Sequence, residues 1–117
     1  MTCAASNLQG VAVSEIDVDE LESLMRAGAS VIDVREAHEY QAGHVPGAVL
    51  VPLGSVPYAI DRFSADATNY VICRTGARSY RACEFLMDQG IQAVNVAGGT
   101  LAWVNSGRET VIGDQPG

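Results

Sequence analysis

Four short apolar runs, separated by segments of helical or turn-like pattern, constrain this chain more than any other feature. Val31-Ile32-Asp33-Val34, Ala48-Val49-Leu50-Val51, Tyr70-Val71-Ile72 and Ala93-Val94-Asn95-Val96 are too brief for helices. Their β-branched content reads as buried strand. In residues 17–26 the apolar positions Val18, Leu21, Leu24 and Met25 form a helical stripe, with Asp17, Asp19 and Glu20 at the end where the helix dipole favours acids. Gly28 stops it. Residues 36–41 can make only a short helix, Gly43 and Pro46-Gly47 mark turns, and residues 56–63 read as a short helix or turn. Ala82, Cys83, Phe85 and Leu86 share one face of a helix expected over 78–89, with Gly90 as its stop. Gly98-Gly99 turns into a last helix whose Trp103 is expected to seal the core. Val11-Ala12-Val13 is expected to be a short strand or extended entry. Strand and helix thus alternate, which predicts an α/β domain with a parallel sheet and a ligand site beyond the carboxyl ends of its strands.

A chain of 117 residues with 48% apolar side chains suits one domain. We place it at 11–112, with 1–10 and 113–117 as loosely held ends because both are small, polar and without period. Seven basic against fourteen acidic residues give a formal charge of −7, and no basic run occurs, so nucleic acid and anionic membranes are excluded as partners. Cysteines at 3, 73 and 83 make an odd set without a C-x-x-C pair, which argues for a reducing compartment, the cytoplasm by default. No signal-like N-terminus and no long apolar run is visible. His38, His44 and the cysteines lack zinc-ligand spacing, and neither a phosphate-binding G-x-x-x-x-G-K-[ST] loop nor a dinucleotide fingerprint is present, so no metal and no cofactor is expected.

The chemistry concentrates at Cys73-Arg74-Thr75-Gly76-Ala77-Arg78-Ser79, directly after one predicted strand and directly before a helix. A tight strand-to-helix loop turns several backbone N–H groups and the positive end of the helix dipole toward one point. Such a point stabilises a thiolate and binds an anion. With Arg78 adding a fixed charge, the thiol pKa is expected to fall well below the free value of about 8.5. A buried structural thiol is the alternative for Cys73, but the flanking Gly and Arg make little sense around a mere core residue. Cys83, on the apolar face of the following helix, is read as packing, and Cys3 as incidental.

Four stretches in order resemble the rhodanese (sulfurtransferase) family. They are Asp33-Val34-Arg35 with Glu39-Tyr40, then Gly43-His44-Val45-Pro46-Gly47-Ala48, then residues 73–79, then Asn95-Val96-Ala97-Gly98-Gly99 with Ala102-Trp103. Each is weak alone; the ordered set is specific. The resemblance, to the small single-domain type that keeps the loop cysteine, implies a three-layer domain with a five-stranded parallel sheet flanked by helices. It also implies a reaction. Cys73 as thiolate would take a sulfane sulfur from thiosulfate or a similar small anionic donor, and the persulfide would pass it to cyanide or another thiophilic acceptor. A protein donor or acceptor, making the chain a persulfide relay, is the alternative. Four residues separate Cys73 from Arg78, whereas phosphatases of similar fold use a loop one residue longer, usually with His before Cys where this chain has Ile72. Phosphatase or arsenate reductase action is therefore the runner-up chemistry, and an inactive binding module would require a vestigial loop.

Within this frame the loop residues Arg74, Thr75, Gly76, Ala77, Arg78 and Ser79 are expected to line the substrate. A cation in a helix's first turn opposes the dipole, so Arg78 has a functional reason to be there, contacting an anion or shaping the loop. Arg74 faces either substrate or solvent. Thr75 and Ser79 are candidate hydroxyl donors to a persulfide, Ser79 alternatively a support of the loop, and Gly76 supplies a backbone conformation that other residues resist. Asp33, Arg35 and Glu39 are read as an ion-paired scaffold behind the site, and His44 as a hydrogen-bonded structural histidine, since a low-pKa thiolate needs no general base.

Overall fold

The computed structural model describes residues 12–117. Five strands, β1 (Glu15–Ile16), β2 (Ser30–Asp33), β3 (Val49–Leu50), β4 (Asn69–Ile72) and β5 (Ala93–Val96), form one sheet in the order β1-β5-β4-β2-β3. Every pairing is parallel. The helices are α1 (Val18–Arg26), α2 (Ala37–Ala42), α3 (Ala77–Asp88) and α4 (Gly99–Asn105), with two 3-10 segments, Leu53–Tyr58 and Ile60–Arg62, between β3 and β4. This is the α/β architecture with a five-stranded parallel sheet that the alternating pattern and the family resemblance predicted.

The strand period of two divides the core. Ile32 and Val71, directly paired across β2 and β4, pack with Leu86, Cys83 and Ala82 of α3 and with Val56 and Phe63. Val31 and Ile72, one residue along, point the other way and pack with Leu21 of α1, Tyr40 of α2 and Trp103 of α4. A one-residue slip of either central strand would exchange these two sets. Asp17 caps α1, its side chain accepting from the Glu20 N–H at 2.9 Å, and Gly28 continues past the end of that helix at φ +95°.

Two places differ from the sequence expectation. Position 11 lies outside the described residues, as do 1–10 and Cys3, and residues 12–13 are not in a strand, so of the two readings offered for 11–13 the extended entry remains and the strand does not. The first strand comes later, at Glu15–Ile16, because Val13 packs against the core and pairing begins only where the Ser14 carbonyl accepts the Asn95 N–H at 2.9 Å. The second difference is at 113–117, which is bound rather than loose. Val111 and His44 exchange backbone hydrogen bonds, the Gly113 N–H reaches the Gln41 carbonyl at 2.8 Å, and the Gly47 N–H reaches the Pro116 carbonyl at 2.8 Å. This strap supplies partners for backbone groups of the 41–47 loop that neither helix nor sheet satisfies.

His44 joins the strap from within. Its ring is buried, stacked on Tyr40 at 3.6 Å, with one nitrogen 2.8 Å from the Tyr40 carbonyl and the other 2.9 Å from the Gln115 carbonyl. Removing residues 113–117 takes away one of those acceptors and two backbone partners. The truncated chain is expected to fold and to lose about 1–3 kcal/mol of stability. Urea unfolding of the two chains measures this; coincident transitions would mean that the strap contributes nothing.

Candidate active site

Cys73 follows the last residue of β4, at the carboxyl edge of the sheet, and is only 1% exposed. Its Sγ accepts from the Gly76 N–H at 3.1 Å and from the Ser79 hydroxyl at 3.3 Å. Gly76 caps α3 at φ +114°, a left-handed conformation that a side chain would strain, and this turn lets its N–H point back at the sulfur. Burial pushes the Cys73 thiol up, but the Ser79 hydroxyl and the N–H groups of Ser79, Gly76 and Thr75 outweigh it, and the net shift is down. The site therefore favours a thiolate by hydrogen bonding.

The inward amides depend on where the loop's carbonyls go. The Cys73 carbonyl accepts from both the N–H and the hydroxyl of Thr100, at 2.9 and 3.0 Å, and the Arg74 carbonyl accepts from the Leu101 N–H at 3.0 Å. The Gly76 carbonyl accepts from the Tyr80 N–H at 3.1 Å and from the Asn95 amide at 3.1 Å. Helix α4 comes this close only because of Gly99, where a Cβ would sit 2.5 Å from the Arg74 oxygen and 2.6 Å from the Cys73 oxygen. With the carbonyls of Cys73 and Arg74 held by α4 and that of Gly76 by Tyr80 and Asn95, the loop keeps the turn in which the Gly76 N–H reaches Sγ.

Arg78 makes a two-point ion pair with Glu39, at 2.7 and 2.9 Å, and Glu39 also accepts the Glu36 N–H at the start of α2. The Arg78 guanidinium holds the Glu39 carboxyl at about 2, against an ordinary 4.5. That pairing offsets the unfavourable position of a cation in the first turn of α3 and clamps α2 to the loop. It also means that Arg78 reaches the loop already matched by an opposite charge. The causes that lower the thiol are the Ser79 hydroxyl and the amides, and a Coulombic interaction between Arg78 and Cys73 accompanies them. A second pair is more deeply buried. Arg35 binds both oxygens of Asp33 at 2.8–3.1 Å and donates to the Gly43 carbonyl at 2.9 Å, so the turn after β2 is tied to the end of α2. A pair buried this deeply acts by orienting what it joins, since desolvation offsets most of its attraction.

The remaining expected residues divide cleanly. Ser79 is buried against the sulfur, while Arg74, Thr75 and Ala77 are exposed around the loop. His44 makes its polar contacts with the carbonyls of Tyr40 and Gln115, away from Sγ. Cys83 is buried in the same cluster as Cys73, and burial pushes its thiol up to about 12, so it stays protonated. Among the described residues no group of three His, Cys, Asp or Glu could hold a metal ion, and no helix is long and apolar enough to cross a membrane.

Asn95, Glu15 and Thr100 belong to the site without having been singled out for it. The Asn95 amide donates to Glu15 at 2.7 Å as well as to the Gly76 carbonyl, and its own oxygen is buried without a partner. Turning the amide over would set that oxygen against a carboxylate and a carbonyl, so its orientation is fixed. A polar residue in the middle of the run 93–96 was the available signal for Asn95. Glu15 and Thr100 carry none.

Two measurements probe this geometry. The rate of Cys73 alkylation should rise with pH about a midpoint below that of a free thiol, and Ser79→Ala should move the midpoint upward and slow alkylation at neutral pH about threefold to tenfold. An unmoved midpoint would show that the hydroxyl does not hold the thiolate. Because Glu39 has its folded pKa lowered, its pairing contributes stability above 4.5 that is lost as pH falls toward 2. Wild type should accordingly exceed Glu39→Gln in unfolding free energy at neutral pH, with the gap closing through that acid window; a gap independent of pH would contradict the assignment.

Comparison with known proteins agrees with the geometry. Residues 17–106 match the model of the rhodanese-like domain. The chain is 37% identical over 93 residues to YtwF of Bacillus subtilis, covering 78% of this chain and 90% of that protein. It is 35% identical over 98 residues to a sulfurtransferase of Allochromatium vinosum, covering 81% and 92%. A crystal structure of a rhodanese-like domain protein from Staphylococcus aureus superposes with a TM-score of 0.78 at 34% identity, covering 86% of this chain and 98% of that one. A thiol held by amides at the carboxyl edge of a parallel sheet, in a chain with these relatives, belongs to the rhodanese-like family of sulfurtransferases.

Proposed function

We propose that the protein takes a sulfane sulfur from thiosulfate or a similar small anionic donor as a persulfide on Cys73 and passes it to cyanide or another thiophilic acceptor. The observation that carries this reading is the Sγ of Cys73 held at 3.1 Å by the Gly76 N–H and at 3.3 Å by the Ser79 hydroxyl. In the first half-reaction the Cys73 thiolate attacks the outer sulfur of thiosulfate. The Sγ–S bond forms, the donor S–S bond breaks, and sulfite leaves with the electron pair. In the second, the acceptor attacks the outer persulfide sulfur and the pair returns to Sγ, which the same donors stabilise as a thiolate. The enzyme is restored without an external oxidant or reductant.

Cys73 is the nucleophile in this proposal, and residues 74–79 form the cradle. Arg78 shapes it through Glu39, while Asp33, Arg35 and His44 hold the surrounding turns. Four residues between Cys73 and Arg78 make a small ring of amides, which supports one sulfur as the group carried and weighs against the four oxygens of a phosphate. The cysteines at 73 and 83 are free thiols, which suits a reducing compartment such as the cytoplasm.

Intact mass after incubation with thiosulfate tests the proposal. A one-sulfur adduct is expected on wild type, lost on treatment with cyanide as thiocyanate appears, and absent in Cys73→Ser. No adduct on wild type, or the same adduct on Cys73→Ser, would overturn it.

A further inference from the structure

His44 is fully buried, with Nδ1 2.8 Å from the Tyr40 carbonyl and Nε2 2.9 Å from the Gln115 carbonyl. A backbone carbonyl only accepts, so each of these nitrogens must donate, whereas a neutral imidazole has one N–H. Both contacts are satisfied only when the ring is protonated on both nitrogens. A buried cation is costly unless it is bonded. Here both N–H groups are bonded, and the ring lies parallel to that of Tyr40, at 4° with centroids 3.6 Å apart. The titratable and charged groups about this stack are Tyr40 itself from α2, Asp33 and Arg35 at the end of β2, and Asp114 from the tail. Burial pushes the Tyr40 phenol up, so it stays neutral, and Asp33 and Arg35 are matched to each other. Asp114 has no ion-pair partner among the described residues.

The two acceptors differ in their freedom to move. Tyr40 sits within α2 and its carbonyl also takes the Gly43 N–H at 3.1 Å, so it stays in place when His44 loses a proton. Gln115 lies in the tail, and among the described residues no other donor reaches its carbonyl. We propose that His44 is a proton-operated latch, which when charged holds the end of the tail 113–117 against the 41–47 loop and on losing the Nε2 proton to solvent lets it go. The neutral ring keeps its proton on Nδ1 for Tyr40. That leaves the lone pair of Nε2 facing the Gln115 oxygen, a repulsion that movement of the tail relieves. The Gly47 N–H, bonded to the Pro116 carbonyl one residue beyond Gln115, opens with it. The paired backbones of His44 and Val111 keep the chain before the tail in place. Docking is therefore strongest at low pH and weakens as pH rises through the histidine range. The latch stands on the geometry of the tail and is independent of the reaction at Cys73.

NMR of the full chain, isotopically labelled in nitrogen and followed over about pH 5 to 8, tests the latch. At the acid end both ring nitrogens of His44 should carry protons, and with rising pH Nε2 should lose its proton while Nδ1 keeps one. Protection of the Gly47 N–H from hydrogen exchange, corrected for its intrinsic rate, should fall about tenfold to a hundredfold about the same midpoint, the loss expected of one hydrogen bond to a charged group. That fall should follow the ring signals of His44 and not those of His38, the other histidine. His44→Gln, which has no ring to titrate, should make Gly47 protection independent of pH; if that variant does not fold, the wild-type titration decides alone. Three outcomes would each overturn the latch: a His44 ring already neutral at the acid end with the Gly47 N–H protected, a ring that keeps both protons throughout, or a ring that titrates while Gly47 protection stays constant.

Discussion

The hydrogen bond from the Leu101 N–H to the Arg74 carbonyl is the constraint on which the rest of the site depends, because that carbonyl shares its peptide unit with the Thr75 N–H that faces the sulfur. A peptide unit cannot turn its N–H inward without sending its C=O outward, and an outward carbonyl buried without a partner would undo the arrangement. Here the N-terminal turn of α4 receives the carbonyls of Cys73 and Arg74, and Asn95 on β5 receives that of Gly76. The conformation of the loop around the sulfur is therefore set by two elements beyond the loop itself. Gly99 is the contact point, since any side chain there would hold α4 away by its own radius.

Charge is spent in the same local way. The chain is acidic overall, with a formal charge of −7, yet the hydrogen bonds to the Cys73 sulfur come from neutral groups, and the nearby Arg78 and Arg35 are matched by Glu39 and Asp33. Screening over about 8 Å at physiological salt leaves the global charge little say at the sulfur. The two ion pairs act as ties between segments, joining α2 to the loop and the turn after β2 to the end of α2. Their consequence is positional rather than electrostatic.

The central fold was legible because its signals are periodic. Runs such as Val31-Ile32-Asp33-Val34 and Tyr70-Val71-Ile72 have no competing helical reading, and glycines at 28 and 90 close the helices where expected. The cysteine loop was legible because Gly and Arg around a strand-end thiol have few other uses. What could not be read was whatever depends on a distant partner. The late start of β1 is set by where Ser14 meets Asn95, and the docked tail by unpaired backbone in the 41–47 loop. Thr100 and Glu15 contribute through contacts with positions 73 and 95 that no local pattern encodes. Arg78 was rightly marked as unusual for a first turn, but its partner at position 39 comes from another helix.

The two outer strands of the sheet have a consequence of a different kind. β1 and β3 contribute two residues each, against four in β2, β4 and β5. A long edge strand would offer a row of free N–H and C=O groups as a template for another chain. Among the described residues, edges this short offer almost none, which limits the strand-to-strand association that a longer edge would invite.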